Sequence, residues 1–269
     1  MQNIRIANVV MNCPFGQTEN NLDKIQFFVS KAYEKQVDVI CFPELSVTGY
    51  NNQDFVNRFA ETIPGESTNF IVNLSKKFNI CILAGLIEKN GTFPPYITHI
   101  VSYPSGNIHL YRKTHLGPPE KSFFSQGQDL SLFEYKGTRF GIQICYDSHF
   151  PEISTHMALS GADLIFFPHA SPRGSSQKKF QNWSKHLIAR AYDNSVFVAA
   201  CNQTGSNGIK LNFPGLAIII DPSGNVINHN IENIEQLIIT DLYAESIENV
   251  RNNRMKYFLY SRRPELYCK

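Results

Sequence analysis

Long hydrophobic runs are missing from this chain. Its apolar stretches, such as Val196 to Cys201, fall far short of the roughly 20 residues a membrane-spanning helix needs, so no membrane role is expected. The start, Met1-Gln2-Asn3-Ile4-Arg5-Ile6, lacks the basic and apolar segments of a signal peptide. The six cysteines (positions 13, 41, 81, 145, 201 and 268) never fall as C-x-x-C, and they read as free thiols in a reducing, cytoplasmic setting. An excess of one charge is lacking too. Lys plus Arg is 25 against 23 for Asp plus Glu, which excludes the basic stripe of a nucleic-acid binder. There is no G-x-x-x-x-G-K-[ST] loop and no G-x-G-x-x-G, so a nucleotide cofactor lacks support. The eight histidines form no H-E-x-x-H and no close pair with a carboxylate at ligand spacing, so no metal is expected, and no other cofactor. No Gly/Ser-rich or charge-block linker divides the chain, and residues 1–269 read as one domain.

What is present is the alternation of an α/β protein. A chain of 269 residues, 42% of them hydrophobic, buries about three quarters of its unfolded surface and needs no disulfide to hold a core. Strands are expected at Arg5–Val10, Val37–Phe42, Ile80–Leu86, Tyr96–Tyr103, Asn107–Arg112, Arg139–Cys145, Asp163–Phe167, Val196–Cys201, Leu216–Asp221 and Leu237–Asp241. Helices fit Asn21–Lys35, Ser67–Phe78, Pro151–Ser160, Gln177–Tyr192 and Glu245–Tyr257. In the first helix Ile25, Phe28, Val29 and Ala32 form a single stripe. Two landmarks repeat. Asp38-Val39-Ile40-Cys41-Phe42-Pro43-Glu44-Leu45-Ser46 lines up with Asp163-Leu164-Ile165-Phe166-Phe167-Pro168-His169-Ala170-Ser171, and Pro104-Ser105-Gly106-Asn107 with Pro222-Ser223-Gly224-Asn225. Both place a second half about 120 residues after the first. Two β/α halves, each with one sheet face covered by helices, bury their free faces against each other. The expected fold is a four-layer α-β-β-α sandwich.

Three residues draw attention as chemistry. Cys145 ends an alternating strand and precedes Tyr146-Asp147-Ser148-His149-Phe150-Pro151-Glu152, where Pro151 suits the first turn of a helix. That context projects a thiol at the strand's carboxyl end, where α/β sheets place ligands, and a helix terminus there would favour thiolate. The other reading is a buried packing cysteine, as Cys41, Cys81 and Cys201 are expected to be. Glu44 follows an apolar strand and a proline, where a carboxylate is either solvated or paired. Lys113 ends the stretch Asn107 to Lys113. Together a carboxylate takes a thiol proton, a thiolate attacks a carbonyl or nitrile carbon, and an ammonium stabilises the oxyanion.

Phe42-Pro43-Glu44, Tyr111-Arg112-Lys113-Thr114-His115-Leu116, and Ile144-Cys145-Tyr146-Asp147 with Phe150-Pro151-Glu152 resemble the nitrilase superfamily of carbon–nitrogen hydrolases. The motifs occur in the family's order, over essentially the whole chain. The resemblance implies the same sandwich and a triad in which Glu44 is the base, Lys113 the oxyanion donor and Cys145 the nucleophile. It also implies a second glutamate, Glu120, positioning Lys113 or the substrate, and a Tyr146 backbone N–H that shares the oxyanion. The implied reaction cleaves a small amide or N-carbamoyl compound through a cysteine thioester, releasing ammonia or an amine. A homodimer or higher homo-oligomer is implied as well, with the aromatic tail Tyr257–Tyr260 and Leu266–Tyr267 either packing across an interface or folding back.

Substrate choice is less legible. Tyr50, His149, His169 and Arg173 are the candidate substrate-contacting residues, and many relatives carry Arg where His149 stands. Arg173, in the loop after the strand that echoes the Glu44 strand, could anchor a substrate carboxylate, favouring N-carbamoyl amino acids or ω-amides; an exposed loop arginine is the alternative. The basic run Arg173, Lys178, Lys179, Lys185 and Arg190 reads as a solvated face. Competing functions are nitrile hydrolysis by the same triad, a thiol hydrolase pairing Cys145 with His149 or His169, and a catalytically silent binding module.

Overall fold

The computed structural model describes residues 1–53 and 55–267. The first half holds β1 (Ile4–Val10), α1 (Thr18–Glu34), β2 (Val39–Cys41), α2 (Glu66–Phe78), β3 (Cys81–Asn90), β4 (Phe93–Ser102) and β5 (Ile108–Arg112). The second runs through β6 (Phe133–Tyr135), β7 (Thr138–Ile142), α3 (Pro151–Leu159), β8 (Leu164–His169), α4 (Ser176–Asn194) and β9 (Phe197–Asn202). There follow the short paired strands β10 (Gly205–Ser206) and β11 (Asn212–Phe213), then β12 (Ala217–Ile220), β13 (Val226–Asn230), β14 (Gln236–Leu242), α5 (Ala244–Arg251) and α6 (Pro264–Tyr267).

Two six-stranded sheets result, in the orders β14-β1-β2-β3-β4-β5 and β13-β12-β9-β8-β7-β6. They repeat one plan. A parallel trio (β1-β2-β3 or β7-β8-β9) continues into two antiparallel strands (β4-β5 or β12-β13). An antiparallel strand closes the other edge of each trio, β14 on β1 and β6 on β7. Because β14 follows the whole second half yet pairs with β1, the chain's late strand ties the halves together.

Side-chain alternation explains the layers. On one face of the first sheet, Val9, Ile40, Ile82 and Ile100 meet Ile25, Phe28, Val29 and Ala32 of α1 and Ile71 and Leu74 of α2. The alternate residues Ile6, Val39, Leu83 and Val101 join a core shared with the second sheet, and β1 packs over β9. A strand apolar on both faces needs a layer on each side. Helices α3 and α4 supply the fourth layer through Ile153, Met157, Trp183 and Leu187. The expected α-β-β-α sandwich is the observed one.

Several expectations need correction. The strand leading to Cys145 stops at Ile142, and Cys145–His149 form a 3-10 turn instead. The last long helix ends at Arg251 rather than Tyr257, because the Asn253 side chain accepts the Met255 N–H in a local turn that competes with helix. The edge strand β6 was not anticipated; its turn residues Lys136 and Gly137 both have positive φ, the hairpin geometry usually signalled by Asn-Gly. In the tail, Leu259 is buried and Tyr257 packs on the core, while Tyr260, Leu266 and Tyr267 are exposed. Cys41, Cys81 and Cys201 are buried packing residues, and the described cysteines are free; Cys268 lies outside the described residues. Among the described residues no helix is long and apolar enough to cross a membrane.

Candidate active site

Glu44 leaves the end of β2 on a tight path. Gly85 of β3 receives that path: a Cβ there would lie 2.4 Å from the Leu45 nitrogen, so only glycine lets the two backbones approach. The Val47 N–H donates to the Gly85 carbonyl at 2.9 Å, and the Gly85 N–H donates to Ser46 Oγ at 3.1 Å. Held this way, the Glu44 side chain is completely buried.

Lys113 follows β5, its backbone N–H donating to the Ile97 carbonyl at 2.9 Å. Its ammonium, also fully buried, donates to Glu44 Oε1 at 2.7 Å and to Glu120 Oε1 at 2.8 Å. Glu120 is fixed in turn by the Tyr50 hydroxyl at 2.9 Å and the Gly117 N–H at 2.7 Å. Glu44 Oε2 accepts the Ala170 N–H at 2.8 Å, and Gln203 Nε2 donates to the Glu44 carbonyl at 2.7 Å. The halves therefore meet at this carboxylate.

Cys145 opens the 3-10 turn with φ +48°, a left-handed conformation that costs a non-glycine residue about 1–2 kcal/mol. The strain is held by Asp147. Its buried carboxylate accepts the Ile144 N–H at 2.9 Å, the Tyr111 hydroxyl at 3.0 Å, the Thr114 hydroxyl at 2.9 Å and the His115 N–H at 2.7 Å. One side chain thus clamps the cysteine turn to the segment that carries Lys113. The Tyr146 N–H lies in the first turn, where helical N–H groups lack an intrahelical partner.

The charges follow from this packing. Burial pushes the Glu44 carboxyl up to about 7, with the Lys113 ammonium opposing the rise. Burial disfavours the Lys113 charge, but Glu44 and Glu120 more than offset it and hold the ammonium protonated well above the usual lysine range. Burial, then the Glu44 carboxylate, drives the Cys145 thiol well above its ordinary value, with Lys113 opposing. The expected helix-stabilised thiolate finds no support in these surroundings: a short 3-10 turn does not offset desolvation and the nearby negative charges, which favour the thiol form.

The model of the carbon–nitrogen hydrolase family matches residues 5–252 of this chain. The chain belongs to that family. Among its relatives, a probable nitrilase of Schizosaccharomyces pombe is 32% identical, covering 97% of this chain and 96% of its own. A 2-oxoglutaramate amidase of Bacillus subtilis is 33% identical over 82% of this chain and 84% of its own. Among solved structures, a Saccharomyces cerevisiae member of branch 10 of the nitrilase superfamily superposes with a TM-score of 0.85 at 27% identity, over 95% of this chain and 97% of that one.

The hydrolase fold brings Glu44, Lys113, Glu120 and Tyr50 into one hydrogen-bonded set, and the charges of Glu44, Lys113 and Glu120 all act on the Cys145 thiol. His169 lies at the end of β8, where its Nδ1 meets the Phe167 carbonyl at 2.8 Å and its ring stacks on Trp183 at 3.9 Å. Burial holds it neutral, well below the ordinary histidine range. His149 is exposed, its ring against Tyr146 and His186. Among the described residues neither imidazole hydrogen-bonds Cys145, which removes the geometric basis of a Cys-His pair. Arg173 is exposed, and its guanidinium makes no hydrogen bond or ion pair among the described residues. Its backbone N–H is what holds it, donating to the Asn212 carbonyl at 3.0 Å.

The solvated-face reading of the basic run fails at two positions. Arg190 is buried, donating to the Ser148 carbonyl at 3.2 Å. Lys179 is half-buried, donating to Ser171 Oγ at 2.6 Å and to the Pro172 carbonyl at 3.0 Å. Sequence reasoning also missed Asp147, although it stands inside the cysteine motif, and the Ala170 N–H, which no side-chain pattern can signal.

Proposed function

We propose that the hydrolase cleaves the C–N bond of a small linear amide or N-carbamoyl compound through a thioester on Cys145. The supporting observation is the buried Lys113 ammonium bridging Glu44 and Glu120 at 2.7 and 2.8 Å, with all three charges acting on the Cys145 sulfur. A protonated thiol needs a base at the moment of attack, and a carboxyl poised near 7 suits that task.

In this reading Glu44 takes the Cys145 proton as the sulfur bonds to the carbonyl carbon. The Lys113 ammonium and the Tyr146 N–H receive the negative oxygen. As the tetrahedral adduct collapses, the C–N bond breaks and Glu44 passes the proton to the departing nitrogen. Ammonia or an amine leaves, and an acyl thioester remains. Glu44 next takes a proton from water, whose oxygen bonds to the acyl carbon. The C–S bond then breaks, and the proton returns to the sulfur. Glu120, held by Tyr50 and Gly117, keeps the ammonium aimed and is a positioning residue.

The test is a panel of neutral amides, ω-amides, N-carbamoyl compounds and nitriles assayed for ammonia release, with acid-quenched samples weighed intact. Amide or carbamoyl turnover with an acyl mass on Cys145 is the expected result. Turnover of nitriles alone, or a Cys145→Ala variant with comparable kcat, overturns the proposal.

A further inference from the structure

Strands β8 and β9 pair in parallel as far as His169 and Asn202, and there the chain of β8 turns away. The residues after His169 lose their ladder partners, and their buried main-chain groups need others. The last residues of β9 and the turn beyond it supply them. The Gln203 N–H donates to the His169 carbonyl at 3.3 Å. The Asn202 side chain takes both main-chain groups of Ser171: its Oδ1 accepts the N–H at 2.8 Å, and its Nδ2 donates to the carbonyl at 3.1 Å. A side-chain amide carries the same donor and acceptor as a peptide group, so Asn202 extends the ladder by one step where the strand has ended. Its Nδ2 also donates to the Pro214 carbonyl at 2.9 Å, which fixes the amide itself. Pro172 biases Ser171 toward an extended path. Ala170 therefore stands between two held neighbours, and its N–H is the one that reaches Glu44 Oε2 at 2.8 Å. Asn202 and Gln203 are both completely buried.

From this geometry we infer that Asn202 is a positioning residue, whose amide aims the Ala170 N–H at Glu44 and so favours the ionised, proton-accepting form of the base. The inference rests on the amidase reading, in which Glu44 takes the Cys145 proton, and deepens it. Asn202 makes no hydrogen bond to Glu44 or Cys145 among the described residues, so it acts through the loop alone. The charged and titratable groups about Glu44 are Lys113 after β5, Glu120 and Tyr50 beyond the ammonium, and the Cys145 thiol. On the loop's own side stand His169, which burial keeps neutral, and Lys179, whose ammonium donates to Ser171 Oγ. Burial raises the Glu44 carboxyl, and the Ala170 N–H joins Lys113 in opposing the rise. A hydrogen bond made to the charged form favours that form, so loosening it lifts the carboxyl further.

The test follows kcat/KM against pH on the amide that the intact protein turns over fastest, in Asn202→Leu, Asn202→Ser, Gln203→Met and a control, Asn194→Leu. Asn194 is buried as well, and its amide also holds a main-chain carbonyl, that of Arg190 in α4. Asn202→Leu is expected to move the acid limb up by about 1 pH unit, the scale of one hydrogen bond to a charged group. Below the limb kcat/KM then falls about tenfold, and the plateau is recovered at higher pH. Asn202→Ser, too short to grip both groups of Ser171, should act in the same way and carries the test if leucine prevents folding. Gln203→Met frees the Glu44 carbonyl from its donor and should shift the limb less. Asn194→Leu should lower the melting temperature and leave the limb in place. An unmoved limb in a folded Asn202 variant overturns the inference while leaving the amidase reading standing, and so does an equal shift in Asn194→Leu. Absence of turnover on every amide in the intact protein instead sinks the amidase reading first.

Discussion

At the end of β2 the chain runs Phe42-Pro43-Glu44, and at the end of β8 it runs Phe167-Pro168-His169. Both strands are the middle members of a parallel trio, so the two positions are structural counterparts. Their electrostatics differ. Glu44 is buried with a buried ammonium beside it, whereas His169 is buried with a carbonyl and an indole ring, and it stays neutral. After β5 stands Lys113, but after β13 the matching place holds Ile231, which packs on the core. A repeated strand plan thus supplies repeated positions, and only one of them is given a buried counter-charge. The second half contributes the thiol and a backbone donor; the first contributes the ionised pair.

Exchanging the counterparts tests this asymmetry most severely. Glu44→Gln is expected to lower kcat about 10²–10⁴-fold, as removal of a general base does. His169→Gln should lower kcat less than tenfold and cost about 1 kcal/mol of stability, the worth of the stack on Trp183. Steady-state kinetics with thermal melts of both variants decide it, and comparable kcat losses would erase the distinction between the halves.

Lys113→Met leaves two buried carboxylates facing each other and should destabilise the fold by about 3–5 kcal/mol, read by urea denaturation. An Ile231→Leu exchange at the matching place should cost under about 1.5 kcal/mol, as volume-conserving apolar swaps do.

The pH profile sharpens the same point. In the proposed mechanism Glu44 acts as a carboxylate, and burial raises its carboxyl to about 7, so kcat/KM should fall tenfold per pH unit below that value. The stability sign is the opposite. The folded-state value lies above the ordinary 4.5, so the folded protein binds this proton more tightly, and the group's stabilising contribution fades as pH rises from about 4.5 to about 7. An acid limb that persists in Glu44→Gln would assign it to another group. Smallest of all, Cys145→Gly should be about 1 kcal/mol more stable than Cys145→Ala, because only glycine occupies φ +48° without strain.

Much of this architecture is legible in the residues. The apolar strand ended by Pro43-Glu44, the echo at Pro168-His169 and the period of α1 lead directly to the sandwich. What is hidden is direction. Lys179 and Arg190 occupy helix positions that look solvated because charge on a helix usually is, and only the fold shows their side chains turning inward to Pro172 and Ser148. The surroundings that favour the thiol are hidden for a related reason: a motif shows the turn near Cys145 but not the distant carboxylates whose charge reaches it. Convergence of Glu44, Lys113 and Cys145 across the chain came from resemblance, since spacing alone does not bring distant segments together.

The contact between Ala170 and Glu44 is made by main-chain atoms. Its survival is therefore indifferent to side-chain chemistry: a glycine or serine at 170 keeps it, a bulky residue fails for want of room at a site 2% exposed, and proline alone deletes the donor. Descendants of this gene can drift at that codon without loosening the acid, so a comparison of sequences would pass over one of the bonds that join its two halves.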